Sequence, residues 1–259
     1  MNIAYYHVDC FTENLFCGNP AAVCILPEWL PEVTLQAMAI EHSLPATAFI
    51  RKESDAYSTR WFDPNGEIEL CGHGSLAAAY VIFKYLHPDW QEVIFKSPRH
   101  TVSVLNKNNT LILNFPVRQV EPIAISDELI KALGVKPLEV YQNNTWLALL
   151  ANAEQVRNLQ LNITAFRNLP CRNLIITASD TQVDFVSRNF YPKKTIIEDP
   201  VTGSAHCILA PFWAKRLNKN YLSARQVSAR GGDLICEVKQ DRVYMSAKAV
   251  LYKQGEIIF

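Results

Sequence analysis

Arg60-Trp61-Phe62-Asp63-Pro64, then after six residues Cys71-Gly72-His73-Gly74-Ser75, returns in altered form later in the chain. The second copy reads Arg188-Asn189-Phe190-Tyr191-Pro192, then after six residues Asp199-Pro200-Val201-Thr202-Gly203-Ser204. Arg60 and Arg188, Phe62 and Phe190, Pro64 and Pro192, and Cys71 and Asp199 all stand 128 residues apart (188−60, 199−71). Each copy runs into an apolar stretch of helical character, 76–86 and 205–217. A strand, a glycine-containing turn and a helix have therefore been duplicated. Two such halves facing each other bring Cys71 and His73 opposite Asp199 and Ser204. A duplicated packing unit without a site would also produce a repeat. The turns, however, carry Cys, His, Asp and Ser rather than plain turn residues, and that points to chemistry.

The rest of the chain fits two halves, expected over 1–116 and 117–259, with the last strand free to return to the first half. At 259 residues there is room for two units of about 100–150 residues each. Apolar residues make up 49% and charged residues 19%, enough for a core in each half. The net charge is zero and no Lys/Arg run occurs, which argues against a nucleic-acid partner. No apolar stretch approaches the roughly 18–20 residues of a membrane span. Met1–Asp9 enters a strand pattern at once, without the features of a signal peptide. Seven cysteines in a chain of this length suit a reducing cytoplasm better than a disulfide framework.

Strand patterns fall at Ile3–Cys10, Ala21–Leu26, Thr47–Arg51, Thr59–Phe62, Ile68–Leu70, Val93–Lys96, His100–Val104 and Thr110–Phe115. Pro31–His42 has helical spacing, with Val33, Met38 and Ala39 as inner positions. In the second half, Ser126–Leu133 predicts a helix ended by Gly134, and helix 205–217 carries Pro211, which predicts a kink or a delayed start. Strands are expected at Trp146–Leu150, Leu174–Ala178, Asp184–Asn189, Gln226–Arg230, Asp233–Lys239, Val243–Ser246 and Lys248–Tyr252. Several strands sit close together like hairpins, so the reading is α+β with mixed sheets rather than a parallel α/β sheet.

A turn that leads into a helix aims unpaired backbone N–H groups outward and favours a carboxylate or a developing oxyanion. Gly72, Gly74 and Gly203 would let the backbone approach a ligand, although plain turn chemistry also uses glycine. His73, between two glycines, is a candidate proton donor or acceptor. Asp199 is a candidate functional carboxylate or a cap, and Ser204 a hydrogen-bond donor to substrate or a cap of helix 205–217. Cys71-x-His73 and His206-Cys207 lack the spacing of a zinc site, so no metal is expected.

With these residues the chain resembles the phenazine-biosynthesis isomerase-like family, whose fold is that of diaminopimelate epimerase. The resemblance runs nearly end to end. It rests on His7-Val8-Asp9-Cys10-Phe11, Gly18-Asn19-Pro20, Thr47-Ala48-Phe49, Leu70–Ser75, Glu198–His206 and Arg230-Gly231-Gly232. It implies two pseudo-symmetric halves, each a mixed sheet wrapped around a central helix, with a site between them. It also implies a cytoplasmic homodimer that needs no cofactor and moves a proton on a small cyclic or amino-acid-like carboxylate. The implied catalytic residues are His73, Asp199 and Ser204. Asn19, Cys71, Gly72, Gly74 and Gly203 are the implied substrate-binding residues.

One departure bears on activity. The family's proton-shuttling Glu is replaced here by Ala46, in Leu44-Pro45-Ala46-Thr47-Ala48-Phe49, and Ala247 replaces a family Gly. Glu41, His42 and Glu67 are the nearby groups that could substitute for that Glu. Three classes stay open: a proton-transfer isomerase, a ligand-binding pseudoenzyme, and a partner-binding protein.

Overall fold

The alternation at Ile3–Cys10 becomes β1 (Asn2–Cys10) in the computed structural model, which describes residues 2–258. The first half continues with β2 (Asn19–Ile25), α1 (Glu32–His42), β3 (Thr47–Lys52), β4 (Tyr57–Asp63), β5 (Gly66–Ile68) and α2 (Gly72–Val81). A π-turn (Ile82–Leu86), β6 (Glu92–Lys96), β7 (Thr101–Lys107) and β8 (Thr110–Pro116) follow. Then come β9 (Glu121–Ile123), α3 (Asp127–Leu133), β10 (Glu139–Gln142), β11 (Thr145–Leu149), α4 (Ala153–Asn158), α5 (Ile163–Arg167), β12 (Asn173–Ser179) and β13 (Phe185–Phe190). The chain closes with β14 (Glu198–Asp199), α6 (Gly203–Leu217), β15 (Tyr221–Gln226), β16 (Gly232–Lys239), β17 (Arg242–Ala247) and β18 (Ala249–Ile258).

The strand ladder reads the same from either end. β18 and β1, and β1 and β2, pair antiparallel; β2 and β3 pair parallel; β3 and β4 antiparallel; β4 and β6 parallel; β6, β7 and β8 antiparallel. In the second half, β9, β10 and β11 pair antiparallel, β11 and β12 parallel, β12 and β13 antiparallel, β13 and β15 parallel, and β15, β16 and β17 antiparallel. β8 and β17 join the two series antiparallel. The last strand thus lies against the first, and β9 holds the matching place in the second series. Within this mixed α+β architecture α2 and α6 are the buried helices. Gly72–Ala79 is wholly buried, and α6 buries Gly203, Ala205–Ala210, Trp213 and Ala214. Helices apolar on all sides belong inside a core, and Ala77-Ala78-Ala79 lets α2 fit within the curved sheet.

The two repeats differ in a way that the 128-residue spacing hides. Phe62 pairs with Glu67 and Trp61 with Ile68, whereas Phe190 pairs with Glu198 and Asn189 with Asp199. The return strand therefore arrives three residues later in the second copy. The helices begin 131 apart (203−72), at Gly72 and Gly203, with Cys71 and Thr202 as their N-caps. The structural counterpart of Cys71 is Thr202, that of His73 is Ser204, and that of Asp199 is Ile68. The matching of Cys71 with Asp199 is corrected accordingly.

Other expectations shift for local reasons. α2 starts four residues before 76, because the Cys71 sulfur accepts the Gly74 N–H and caps the helix at that point. β5 ends at Ile68, since the tight Asp63–Gly66 turn sends the chain straight back along β4. Val33 is 76% exposed, and Leu35 takes its inner place beside Met38 and Ala39. The strand expected at 226–230 ends at Gln226, because Ser228 and Arg230 turn away. Ser228 donates to the Pro200 carbonyl, and Arg230 donates to Asp9 and to the Cys17 and Gly18 carbonyls. Pro211 neither delays nor ends α6. It removes the N–H that would bond the Cys207 carbonyl, and the Arg118 N–H fills that place at 2.9 Å.

Candidate active site

α2 and α6 meet N-terminus to N-terminus. A Cβ built on Gly72 would lie 3.6 Å from the Gly203 Cα, and one built on Gly203 would lie 3.8 Å from the Gly72 Cα. Each helix start presents backbone N–H groups that no helical carbonyl can accept. Two positive dipole ends at this separation repel, and a negative charge between them offsets that repulsion. Cys71, Gly72, His73, Asp199, Gly203 and Ser204 line one cavity of about 80 Å3 at this junction.

Asp199 is held from behind. Asn19 Nδ2 donates to its Oδ1 at 2.7 Å and to the Val201 carbonyl at 2.7 Å, and Thr202 Oγ1 donates to its Oδ2 at 2.5 Å. Thr202 in turn accepts from Asn189, Asn189 from Asn173, and Asn173 from Thr145, in one chain of buried hydrogen bonds. Gln226 completes the frame by donating to the Asp199 carbonyl and accepting the Thr202 N–H. Asp199 is half-buried, on the wall of the cleft. Desolvation there raises its pKa to about 6, against the hydrogen bonds from Thr202 and Asn19 and the charge of Lys194.

The opposite wall is neutral. Burial pushes the Cys71 thiol up to about 12 and the His73 imidazole down to about 3, where the nearby Lys194 also disfavours its cation. His73 Nδ1 lies 3.6 Å from the Cys71 sulfur. His73 is 8% exposed, and its Nε2 has no hydrogen-bond partner. A buried polar atom without a partner costs about 1–3 kcal/mol, so this nitrogen is poised for a bound group. Near pH 7 the Asp199 carboxylate therefore shares the cavity with an uncharged imidazole and an uncharged thiol.

Asn19 and Gly74 lie behind the wall rather than on it. Asn19 is fully buried, with its amide engaged as described, and Gly74 serves the Cys71 cap and packs on Trp61. Ser204 does not cap α6. It is the second helical residue, one past Gly203, and it faces the cavity. None of Glu41, His42 and Glu67 reaches the cavity: His42 bonds Thr47, and Glu67 is held by Arg60. Ala46 is 0% exposed in the core, while its neighbour Pro45 forms part of the wall.

The second carboxylate on the wall is Asp63, paired with Lys194 at 2.6 Å across the junction. Tyr191 also lines the cavity, its hydroxyl pKa raised by burial and by Asp199. Asp63 and Tyr191 stand at matching places in the repeat (191−63 = 128), and that spacing is the signal that could have found both. Lys194 sits in the three-residue expansion, and the sequence carries no pattern to mark it. Among the described residues no group of three His, Cys, Asp or Glu side chains could hold a metal ion, and no helix is long and apolar enough to cross a membrane.

The family model for phenazine biosynthesis-like protein matches residues 8–255. The chain belongs to this family. An uncharacterized isomerase of Pseudomonas aeruginosa is 42% identical over 258 residues, covering 99% of both chains. The crystal structure of a phenazine biosynthesis protein of the PhzF family from Enterococcus faecalis is 45% identical, with a TM-score of 0.97 and 100% of each chain covered. A hydroxyproline epimerase of Agrobacterium vitis shares the fold alone, at 10% identity and TM-score 0.66, with 99% of this chain and 92% of that chain covered. This phenazine biosynthesis-like chain thus has the α+β fold of the diaminopimelate-epimerase type, with the paired helix starts at its centre.

Proposed function

We propose that the protein is an isomerase that moves a proton on a small carboxylic acid without a cofactor. The observation that carries this reading is the Asp199 carboxylate, tuned close to neutrality, facing neutral His73 and Cys71 where two helix N-termini meet. The substrate carboxylate lies against the N–H groups of Gly72, His73, Gly203 and Ser204. Its negative charge takes the place between the two dipoles. Asp199 removes a proton from carbon next to the bound acid, and the N–H groups stabilise the enolate-like charge that develops. His73 Nε2–H returns a proton at the second position while its Nδ1, 3.6 Å from the Cys71 sulfur, takes the thiol proton; the ring stays neutral, and the proton gained by Asp199 passes through solvent to restore the thiol. The relatives named as isomerases support the reaction class, and the match to the family supports the carboxylate-bearing substrate.

A second reading has its own observation. Ala46 lies in the core at the position where the family resemblance implies a shuttling Glu, so that carboxylate is missing from the first half. On that reading the cavity binds acids without turning them over. The same experiment decides between the two. Small cyclic and amino-acid-like acids that bind are incubated in D2O, and exchange of carbon-bound hydrogen is followed by NMR and mass spectrometry. The isomerase reading expects exchange that Asp199→Asn lowers by about 100-fold or more. Binding without exchange establishes the pseudoenzyme. Exchange that persists at the wild-type rate in Asp199→Asn overturns the role of Asp199.

A further inference from the structure

Behind Ser204 lies a second cavity of about 130 Å3, larger than the first. The two share Leu70, Arg172, Tyr191 and Ser204 as wall. A ligand that filled only the first cavity would leave the larger space to water. The second cavity adds Arg118, with Asn173 and Thr145 as a buried polar floor.

This cavity carries an excess of positive charge, with Arg118 and Arg172 against one carboxylate, Glu69. Among the described residues Arg118, Arg167 and Arg172 are the arginines whose guanidinium groups make neither an ion pair nor a hydrogen bond. Two of those three line this one space. The carboxylate at its rim, Glu69, is engaged by His100 at 3.1 Å and by Arg99 at 3.7 Å, and reaches Arg172 only at longer range, without an ion pair. Two unpaired cations in one cavity repel unless an anion lies between them.

The backbone of Arg118 is also fixed in place, because Pro211 frees the Cys207 carbonyl in the middle of α6 and the Arg118 backbone N–H docks on it. A guanidinium presents parallel N–H donors that match the two oxygens of a carboxylate. The floor is joined to the catalytic carboxylate as well. Thr145 and Asn173 are the far end of the hydrogen-bond chain that reaches Asp199 through Asn189 and Thr202.

We infer that Arg118 and Arg172 form a subsite for a second carboxylate, so that the substrate class is a small dicarboxylic acid spanning both cavities. This rests on the reading of the first cavity as the place of the reacting acid. One carboxylate sits at the helix starts, the second between the arginines, and Ser204 separates them.

Matched probes test it. Benzoate against isophthalate, and valerate against glutarate, are titrated by calorimetry, with the ring signals of His73 followed by NMR. The expected result is that a dicarboxylate binds about tenfold or more tightly than its monocarboxylate. That ratio falls to about one in the Arg118→Gln/Arg172→Gln variant, and by about threefold or more in Arg118→Gln alone, which touches only the second cavity and changes the monocarboxylate affinity by less than about threefold. Arg118→Lys/Arg172→Lys retains part of the ratio, since charge remains but the fork is lost. Neither guanidinium bonds the protein, so thermal melting should show the variants folded.

A dicarboxylate with no advantage, or an advantage that survives in the double Gln variant, overturns the subsite. If His73 still responds to the monocarboxylates in that case, the first cavity keeps its role. Arginine-dependent binding that leaves His73 unmoved keeps the subsite but overturns the spanning substrate and the reading of the first cavity. Failure of all four acids to bind overturns both.

Discussion

β4–β5–α2 and β13–β14–α6 are the same unit built twice, and they differ where it matters for chemistry. The first unit caps its helix with Cys71 and places His73 at the second helical position, with apolar Ile68 on the return strand. The second unit caps with Thr202, places Ser204 at the second position, and carries Asp199 where Ile68 would be. Both supply the same backbone feature, a helix start with free N–H groups. At the helix starts only the side chains break the symmetry. An anion site can be symmetric, because it depends on dipoles, whereas the proposed proton shift uses a base on one side and a different acid on the other. On the proposed reaction, the duplicated backbone serves binding and the unequal side chains separate the base from the acid.

The sharpest way to break the comparison is to remove one wall at a time. Asp199→Asn should lower hydrogen exchange by about 100-fold or more, since the base is lost. His73→Gln should lower net isomerisation by about 10–100-fold while sparing exchange at the first carbon, because it acts on the return of the proton. Ser204→Ala should cost about tenfold or less, as it removes one hydroxyl donor that the second wall offers to the bound acid. Equal losses of exchange in all three would erase the division into base and acid. The exchange rate should also rise with pH through about 6 as Asp199 ionises.

The same carboxylate should show itself in stability. Its folded pKa of about 6 is above the ordinary 3.8. A raised pKa means that the folded state favours the protonated form. Stability from this group is therefore fully present below about 4 and lost as pH rises through 6, by about 3 kcal/mol at most. Asp199→Asn lacks this dependence. Urea denaturation of the two proteins at pH 4.5 and pH 7.5 should show the wild type losing ground to the variant as pH rises. Comparison with the variant is needed because His73, His206 and His42 have lowered values and gain stability over an overlapping range. A constant difference between the proteins across that range would place Asp199 in a wetter setting.

How legible this was in the sequence follows from what kind of signal each feature leaves. The repeat exposed the two-fold plan, because matched Arg, Phe and Pro residues record a duplication directly. Cys71, His73, Asp199 and Ser204 stood out because catalytic residue types replaced ordinary turn residues. The true register did not show, since six residues separate the motif pieces in both copies. The three-residue expansion between Phe190 and Glu198 appears only as strand pairing. The part played by Arg118 was also hidden. It depends on a carbonyl that Pro211 frees in a distant helix, a relation that neither residue carries alone.

The two helix starts should differ in tolerance to one methyl group. A Cβ on Gly74 would lie 2.8 Å from Trp61 Cδ1 and 3.0 Å from the Cys71 sulfur, and Trp61 is packed on all sides. Gly74→Ala should cost about 1–3 kcal/mol, as overpacking does. In the second unit the matching residue is already Ala205 (205−74 = 131). Gly203→Ala would make only ordinary contacts, 3.5 Å from Phe11 and 3.8 Å from Gly72. It should change stability by less than about 1 kcal/mol. Chemical denaturation separates the two, and equal costs would mean that the core around α2 is no tighter than that around α6.

The smallest expected effect concerns the loop that breaks the repeat. Lys194 reaches from the expanded second-half turn to Asp63 in the first-half turn, and Thr195 bonds Asn65 beside it. The Asp63 side chain is 7% exposed and the Lys194 side chain 35%, so the pair is intermediate between a surface contact and a buried one. Asp63 also accepts the Asn65 N–H, which would remain after the lysine is removed. Lys194→Ala should therefore cost about 1 kcal/mol, more than a typical surface pair and less than a fully buried one. Asp63→Asn should cost a similar amount, and the double variant should be no worse than either single one, because the two changes remove one interaction. Coupling near zero in that cycle would show that the turns do not hold each other across the cleft. The lysine has a second, separable effect. Its charge lowers the pKa of Asp199 and disfavours the cation of His73. In Lys194→Ala the acid limb of the exchange profile should accordingly move to higher pH by a fraction of a unit, a shift that loosened packing alone does not produce. Both effects should shrink as salt is raised, because the lysine is partly exposed.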